Sequence, residues 1–169
     1  RIFLQWDYSY FFPSIVSCNH VTDWGKQPIK FRVDVASMGK LGFDIVFSAL
    51  SENDRKFCQE AVGNYNGYKD IIWKGDQYRL VNPHDNDMAS MMYVSKDKAR
   101  AVMFSFFVSN RQRLTTDVEP ILLKGLDPAK KYKVEETNRY PGTRPMPNSG
   151  KVYSGDFLMK AGINPGVSQ

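Results

Sequence analysis

SMMYVSKDKARAVMFSFFV, Ser90 to Val108, sets two apolar runs around the polar tetrapeptide Ser95-Lys96-Asp97-Lys98. The runs, Ser90–Val94 and Ala99–Val108, are rich in aromatic and β-branched residues, which suit a pleated surface packed on neighbours. Four polar residues between them suit a tight connection, so the stretch reads as a β-hairpin. Toward the C-terminus the pattern repeats. Pro120–Leu126 and Tyr132–Thr137 flank Asp127-Pro128-Ala129-Lys130-Lys131, a turn whose proline presets φ. Tyr140–Gly150 is a Pro/Gly-containing loop, and Lys151–Met159 reads as a last strand. Short strands at this spacing predict an antiparallel β-sandwich over 83–169.

Before His84 the period is different. Ile2–Trp6 fits helix or strand, and Pro13 closes it. Ser14-Ile15-Val16 reads as a short buried strand leading to a polar loop, Asn19–Gln27. Pro28 suits the first position of a helix carried by Ile29, Val33, Val35, Ala36 and Met38, with Gly39 ending it. Leu41–Phe47 is apolar and β-prone. Ser51 is the expected N-cap of the next helix, with Asp54 three residues on and Glu52 at the positive end of the dipole. Phe57, Ala61, Tyr65, Tyr68 and Ile72 then recur at helical spacing, while Gly63 and Gly67 imply close packing or a bend. Strand, helix, strand, helix is the order of a βα-repeat protein. Two such units cannot close a sheet, so residues 1–82 are expected to end something larger. The fold class is mixed α/β followed by all-β, with the boundary near Pro83.

At 42% hydrophobic and 14% aromatic, the 169 residues can bury a core, which excludes a disordered chain. The net charge of +5 comes from basic residues dispersed among 18 acidic ones. Arg111-Gln112-Arg113 and Lys130-Lys131 are the densest spots, short of the focused basic face that phosphate binding needs, so no nucleic-acid partner is expected. Cys18 and Cys58 are too few for a disulfide framework. No apolar run is long enough to span a bilayer, and no membrane partner is expected. The chain starts at Arg1 inside an apolar pattern, as a piece of a longer protein would.

Several groups have the residue types of a reactive site. Ser14 or Ser17 with His20 and Asp23 supplies the members of a hydrolase triad, but such members come from distant parts of a chain and no Gly-x-Ser-x-Gly elbow is present. Cys18 with His20 is a second pairing, better read as a small buried hydrophobe beside a histidine. His84-Asp85-Asn86-Asp87 begins like a calcium loop, yet Ser90 and Lys96 stand where glycine and glutamate are required. Asp7, Asp23, Asp34 and Asp44 are carboxylates by type, with Asp34 on a helix face read as solvent-facing.

The segment Met91-Met92-Tyr93-Val94-Ser95-Lys96-Asp97-Lys98-Ala99-Arg100-Ala101-Val102 resembles a strand pair of bacterial α-galactosidases of glycoside hydrolase family thirty-six. So do Gly75–Leu80, Leu123–Pro128 with Tyr132-Lys133-Val134, Tyr153–Met159, and Arg32–Ile45. These segments follow one another in the family's order over nearly the whole chain. The resemblance implies that residues 1–82 are the last βα units of a (β/α)8 barrel and that 83–169 form the C-terminal antiparallel domain. It implies a retaining enzyme acting on terminal α-linked galactose of oligosaccharides, without metal or organic cofactor, in a homo-oligomeric parent. Two aspartates serve as nucleophile and acid/base in such enzymes. By the family's order both lie upstream of Arg1, so no catalytic residue is expected here. Cys18–Thr22 takes the place of a late barrel strand with Asn19 where serine is typical. Strand C-termini face the active site of a barrel, which makes His20, Asp23 and Trp24 the expected border of a sugar pocket. The alternatives are a non-catalytic carbohydrate-binding or assembly module, or a related α-N-acetylgalactosaminidase or galactosyl transferase.

Overall fold

The structure, a computed structural model, describes residues 1–108 and 119–166. Its first part runs α1 (Ile2–Tyr8), β1 (Cys18–Thr22), α2 (Ile29–Ala36), β2 (Lys40–Asp44) and α3 (Glu52–Lys74). The second runs β3 (Asp76–Val81), β4 (Met88–Val94), β5 (Ala101–Phe107), β6 (Lys131–Lys133), β7 (Val152–Ser154) and α4 (Gly155–Lys160). β1 and β2 pair in parallel, with Cys18 opposite Lys40 and Thr22 opposite Asp44. β3-β4-β5 is an antiparallel sheet, and β6-β7 an antiparallel pair. The class is therefore mixed α/β with antiparallel sheets.

α3 holds the molecule together. Its Ser51 cap forms as expected, the Oγ accepting from Asp54 N at 3.1 Å. Phe57, Cys58 and Ala61 pack with Val21, Ile29, Val33 and Ala36 of the parallel unit. Two turns later Tyr65, Tyr68, Ile71 and Ile72 pack with Met91, Tyr93, Phe104 and Phe106 of the antiparallel sheet, joined by Ile2 and Trp6 of α1. Buried apolar surface at about 25 cal/mol per Å² makes this shared core the main adhesive between the two parts. All seven residues of β4 are buried. Ala89, Met91 and Tyr93 face the helices, while Met92 and Val94 face Leu123, Leu126, Leu158 and Ile163.

Several sequence expectations change. Ser14–Val16 is a 3-10 turn with Ile15 and Val16 on the surface, and the strand lies four residues later. Cys18–Thr22 alternates exposed and buried residues and has β2 to pair with, neither of which Ser14–Val16 offers. Pro120–Leu126 and Tyr132–Thr137 do not pair as a hairpin. Ile121 bridges Ile163, and Lys131–Lys133 pairs with β7, because Gly125 at φ +74° turns the chain away between them. Lys151–Met159 is three residues of strand followed by α4, which Ser154 caps by accepting from Phe157 N at 3.1 Å. β3, which continues from α3 and pairs with β4, is a strand the periodicity did not pick out. Gly63 and Gly67 have open space where a Cβ would stand, so neither close packing nor a bend requires them in α3. The basic Arg111–Arg113 spot lies outside the described residues.

Candidate functional site

Helices cover one face of the parallel pair and leave the other open. Val21, Leu41 and Phe43 point into the helix-side core. Side chains alternate along a strand and registered partners share a face, so Cys18, His20, Lys40, Gly42 and Asp44 lie on the open one. Gly42 leaves room there. A Cβ on it would stand 2.6 Å from His20 Cδ2, so the bare glycine lets the imidazole lie across β2. Arg1 holds the outer edge of β1, its guanidinium donating to His20 O and, at 2.9 Å, to Thr22 Oγ1. Arg32 donates to Thr22 O at 2.7 Å from the α2 side. The end of β1 is thus fixed by two arginines, and Asp23 and Trp24 follow it into solvent, Trp24 84% exposed.

His20 sits in the middle of β1, and Asp23 and Trp24 follow the strand's end, with no hydrogen bond joining the three. Asp44, registered beside Thr22, joins that end. Its place was legible only as a residue type, since register is a tertiary property. The triad does not assemble, and Cys18, expected as a buried hydrophobe, is exposed on the same strand face as His20 with no hydrogen bond to it. Ser14 Oγ turns to Tyr93 OH (3.2 Å) and Ser17 Oγ to Asn19 Oδ1 (3.2 Å), both away from His20. His84–Asp87 is an Asn-centred turn in which Asn82 Nδ2 donates to Asp85 Oδ2 at 2.5 Å and His84 Nε2 meets Asp7 Oδ1 at 2.8 Å. Among the described residues no cluster of three His, Cys, Asp or Glu side chains suits a metal ion. No described helix is long and apolar enough to cross a membrane.

Among the described residues, Asp34 is the carboxylate that burial shifts upward. Contrary to the solvent-facing expectation it is packed under the segment that leads into the Pro/Gly loop, accepting from Lys30 Nζ at 2.6 Å and from Asn138 Nδ2 at 2.9 Å. Asn138 Oδ1 in turn accepts from Asn64 Nδ2 at 3.0 Å, and Tyr140 OH donates to Asp54 Oδ1 at 2.8 Å, so the loop is tied to α2 and α3 together. Burial raises the Asp34 carboxyl above its ordinary 3.8, with Lys30 opposing. The folded chain then binds more protons than the unfolded one just above pH 3.8. This contribution to stability is complete below that value and is lost as pH rises through the raised folded pKa. Asp34→Asn keeps an acceptor for Asn138 and removes the titration. Denaturant midpoints measured from pH 3.5 to 7 are expected to fall less steeply with pH in the variant, and parallel profiles would refute it.

Residues 88–168 match the model of the glycosyl hydrolase family 36 C-terminal domain. The chain is 28% identical over 135 residues to α-galactosidase AgaA of Geobacillus stearothermophilus, covering 80% of this chain and 16% of that protein. It is 30% identical over 135 residues to α-galactosidase 2 of Hypocrea jecorina, covering 78% of this chain and 18% of that protein. The crystal structure of a family 36 AgaA variant in complex with stachyose superposes over all of this chain and 22% of its own, at a TM-score of 0.83 and 27% identity. The chain therefore spans about a fifth of the length of the relatives it matches. These two relatives are α-galactosidases of a bacterium and a fungus, and residues 88–168 are similar to the C-terminal domain of glycosyl hydrolase family 36.

Proposed function

We propose that this chain is the end of the catalytic barrel and the C-terminal domain of a retaining α-galactosidase that releases terminal α-linked galactose from oligosaccharides. The open face of the β1-β2 pair carries the reading. A parallel pair covered by helices on one side only is what the closing segment of a barrel presents, and its strand C-termini are where barrel enzymes hold substrate. On this reading His20, Asp23, Trp24 and Asp44 border the sugar pocket, and Gly42 seats the His20 ring. The nucleophile and acid/base aspartates belong to the part of the parent that precedes Arg1 in the family's order, residues 1–82 are the barrel part, with β3 at its end pairing onto the appended domain of 83–169, and the parent is a homo-oligomer.

The sheet argues against an independent sugar-binding module over 83–169. β3 lies before that boundary, and α1 and α3 cover Met91, Tyr93, Phe104 and Phe106. Cut at 83, the module would expose that apolar face. The test is cleavage of an aryl α-galactoside. The 169-residue chain alone is expected to release no product, whereas the parent carrying it does so and loses most of its turnover when Asp23 and Trp24 are both replaced by alanine. Turnover by the lone chain, or a fully active double variant, would overturn the proposal.

A further inference from the structure

The connection that carries Asp23 and Trp24 has no fastening of its own. From Asp23 to Gln27 every residue is exposed, and none of them makes a hydrogen bond, ion pair or ring contact with another described residue. Gly25, in the middle, has nothing within 4 Å of where a Cβ would stand. Where this connection sits is therefore decided at its two ends, and one residue holds both. Arg32 N donates to Pro28 O at 3.2 Å, which fixes the exit into α2. Arg32 Nη1 reaches back to donate to Thr22 O at 2.7 Å, which fixes the departure from β1. A guanidinium donor makes this one of the stronger, charge-assisted hydrogen bonds. No described carboxylate pairs with Arg32 to draw the guanidinium elsewhere, and Thr22 is buried. The buried Nε of the same side chain has no partner, a cost that the Thr22 contact must offset.

We propose that Arg32 is a positioning residue for the sugar pocket. By closing the Asp23–Gln27 connection at its foot it sets where Asp23 and Trp24 meet substrate, and it acts only through them. This role rests on the galactosidase reading of the β1 end. A small misplacement of a positioning group is enough to lose the contact it serves. Contacts made equally in the ground and transition states change KM and leave kcat alone, and the border of a pocket away from the reacting bond is of that kind. A side chain that merely packs would lower stability without that split.

In the parent, Arg32→Met keeps the apolar stem and removes the donor. It is expected to raise KM for an aryl α-galactoside about tenfold with kcat unchanged, the effect of one charge-assisted hydrogen bond. Arg32→Lys, with a single donor in place of the fork, should raise it about threefold. Asn138→Gly is the control for lost stability. Its φ of +54° suits glycine, and the change removes the contacts to Asp34 and Asn64 without touching Thr22. There the denaturant midpoint should fall while KM stays. In the 169-residue chain alone, trypsin cleavage after Lys26, within the exposed connection, is expected to quicken severalfold in Arg32→Met. If Arg32→Met does not fold, Arg32→Lys decides alone on both readouts. An unchanged KM in the Arg32 variants, or an equal rise in Asn138→Gly, overturns the proposal, as does an unchanged rate of cleavage after Lys26. A parent with no galactosidase activity overturns the functional reading and this role together, and quickened cleavage after Lys26 tells that failure from the absence of the closure.

Discussion

Gly155→Ala is expected to destabilise the chain by about 3 kcal/mol, the upper part of the range for overpacking a well-filled site. A Cβ at that position would lie 2.0 Å from Asp127 O and 2.8 Å from Asp127 C, and both are backbone atoms that no rotamer change can move. Retreat is blocked on the other side as well. Gly155 N donates to Lys130 O at 2.8 Å, and Tyr132, whose ring edge is the next contact, is anchored by accepting from Asp127 N at 2.9 Å. Relief therefore requires the turn at 127–131 to separate from α4, which carries Leu158 out of its cluster with Met92 and Val94. Gly63→Ala is the matched control. It lies on an exposed face of α3 with nothing within 4 Å of its Cβ, and alanine there is expected to stabilise by about 0.5–1 kcal/mol. Urea midpoints that move the same way in both variants would contradict the account.

Tyr65→Phe is the second large effect, about 3 kcal/mol of lost stability from a single oxygen, because several buried groups lose their partner at once. The Tyr65 hydroxyl donates to Gly39 O at 2.6 Å and accepts from Leu41 N and Trp73 Nε1, each at 3.1 Å. It therefore ties the middle of α3 to the α2–β2 junction and to the last turn of α3. Phenylalanine fills the same volume and leaves a carbonyl and two N–H groups without partners. Tyr68, one turn on, provides the contrast. Its buried hydroxyl lies near Ser37 and Asn138 without hydrogen-bond geometry, and burial pushes its pKa up to about 12. Tyr68→Phe should therefore stay within about 0.5 kcal/mol of the original chain. Equal losses in the two variants would show that ring packing outweighs the Tyr65 hydrogen bonds.

Most elements were legible where local chemistry and burial agree. α3 announced itself by Ser51, Asp54 and an apolar face at helical spacing, and the hairpin at 90–108 by its polar turn. The misses share a cause. α4 carries a serine cap and Asp156 in its first turn, but the apolar pattern of Val152–Ser154 continued through it and hid the change of period. β3 alternates without being strongly apolar, since its sheet neighbour β4 supplies much of the apolar surface. Asp34 looked like a surface residue because nothing within its helix reveals that Asn138, over a hundred positions away, closes over it.

The sequence alone determined the class of each long element, the dispersal of basic residues among acidic ones along the chain, and the family likeness carried by segments in a fixed order, because these depend on residue identity and short-range spacing. Tertiary structure decided the rest. Parallel register placed His20 over Gly42 and Asp44 beside Thr22. α3 and its aromatic face made one core of the helical part and the antiparallel sheet. Each of these needs residues far apart in the chain to meet at a defined distance, and no local pattern encodes that meeting.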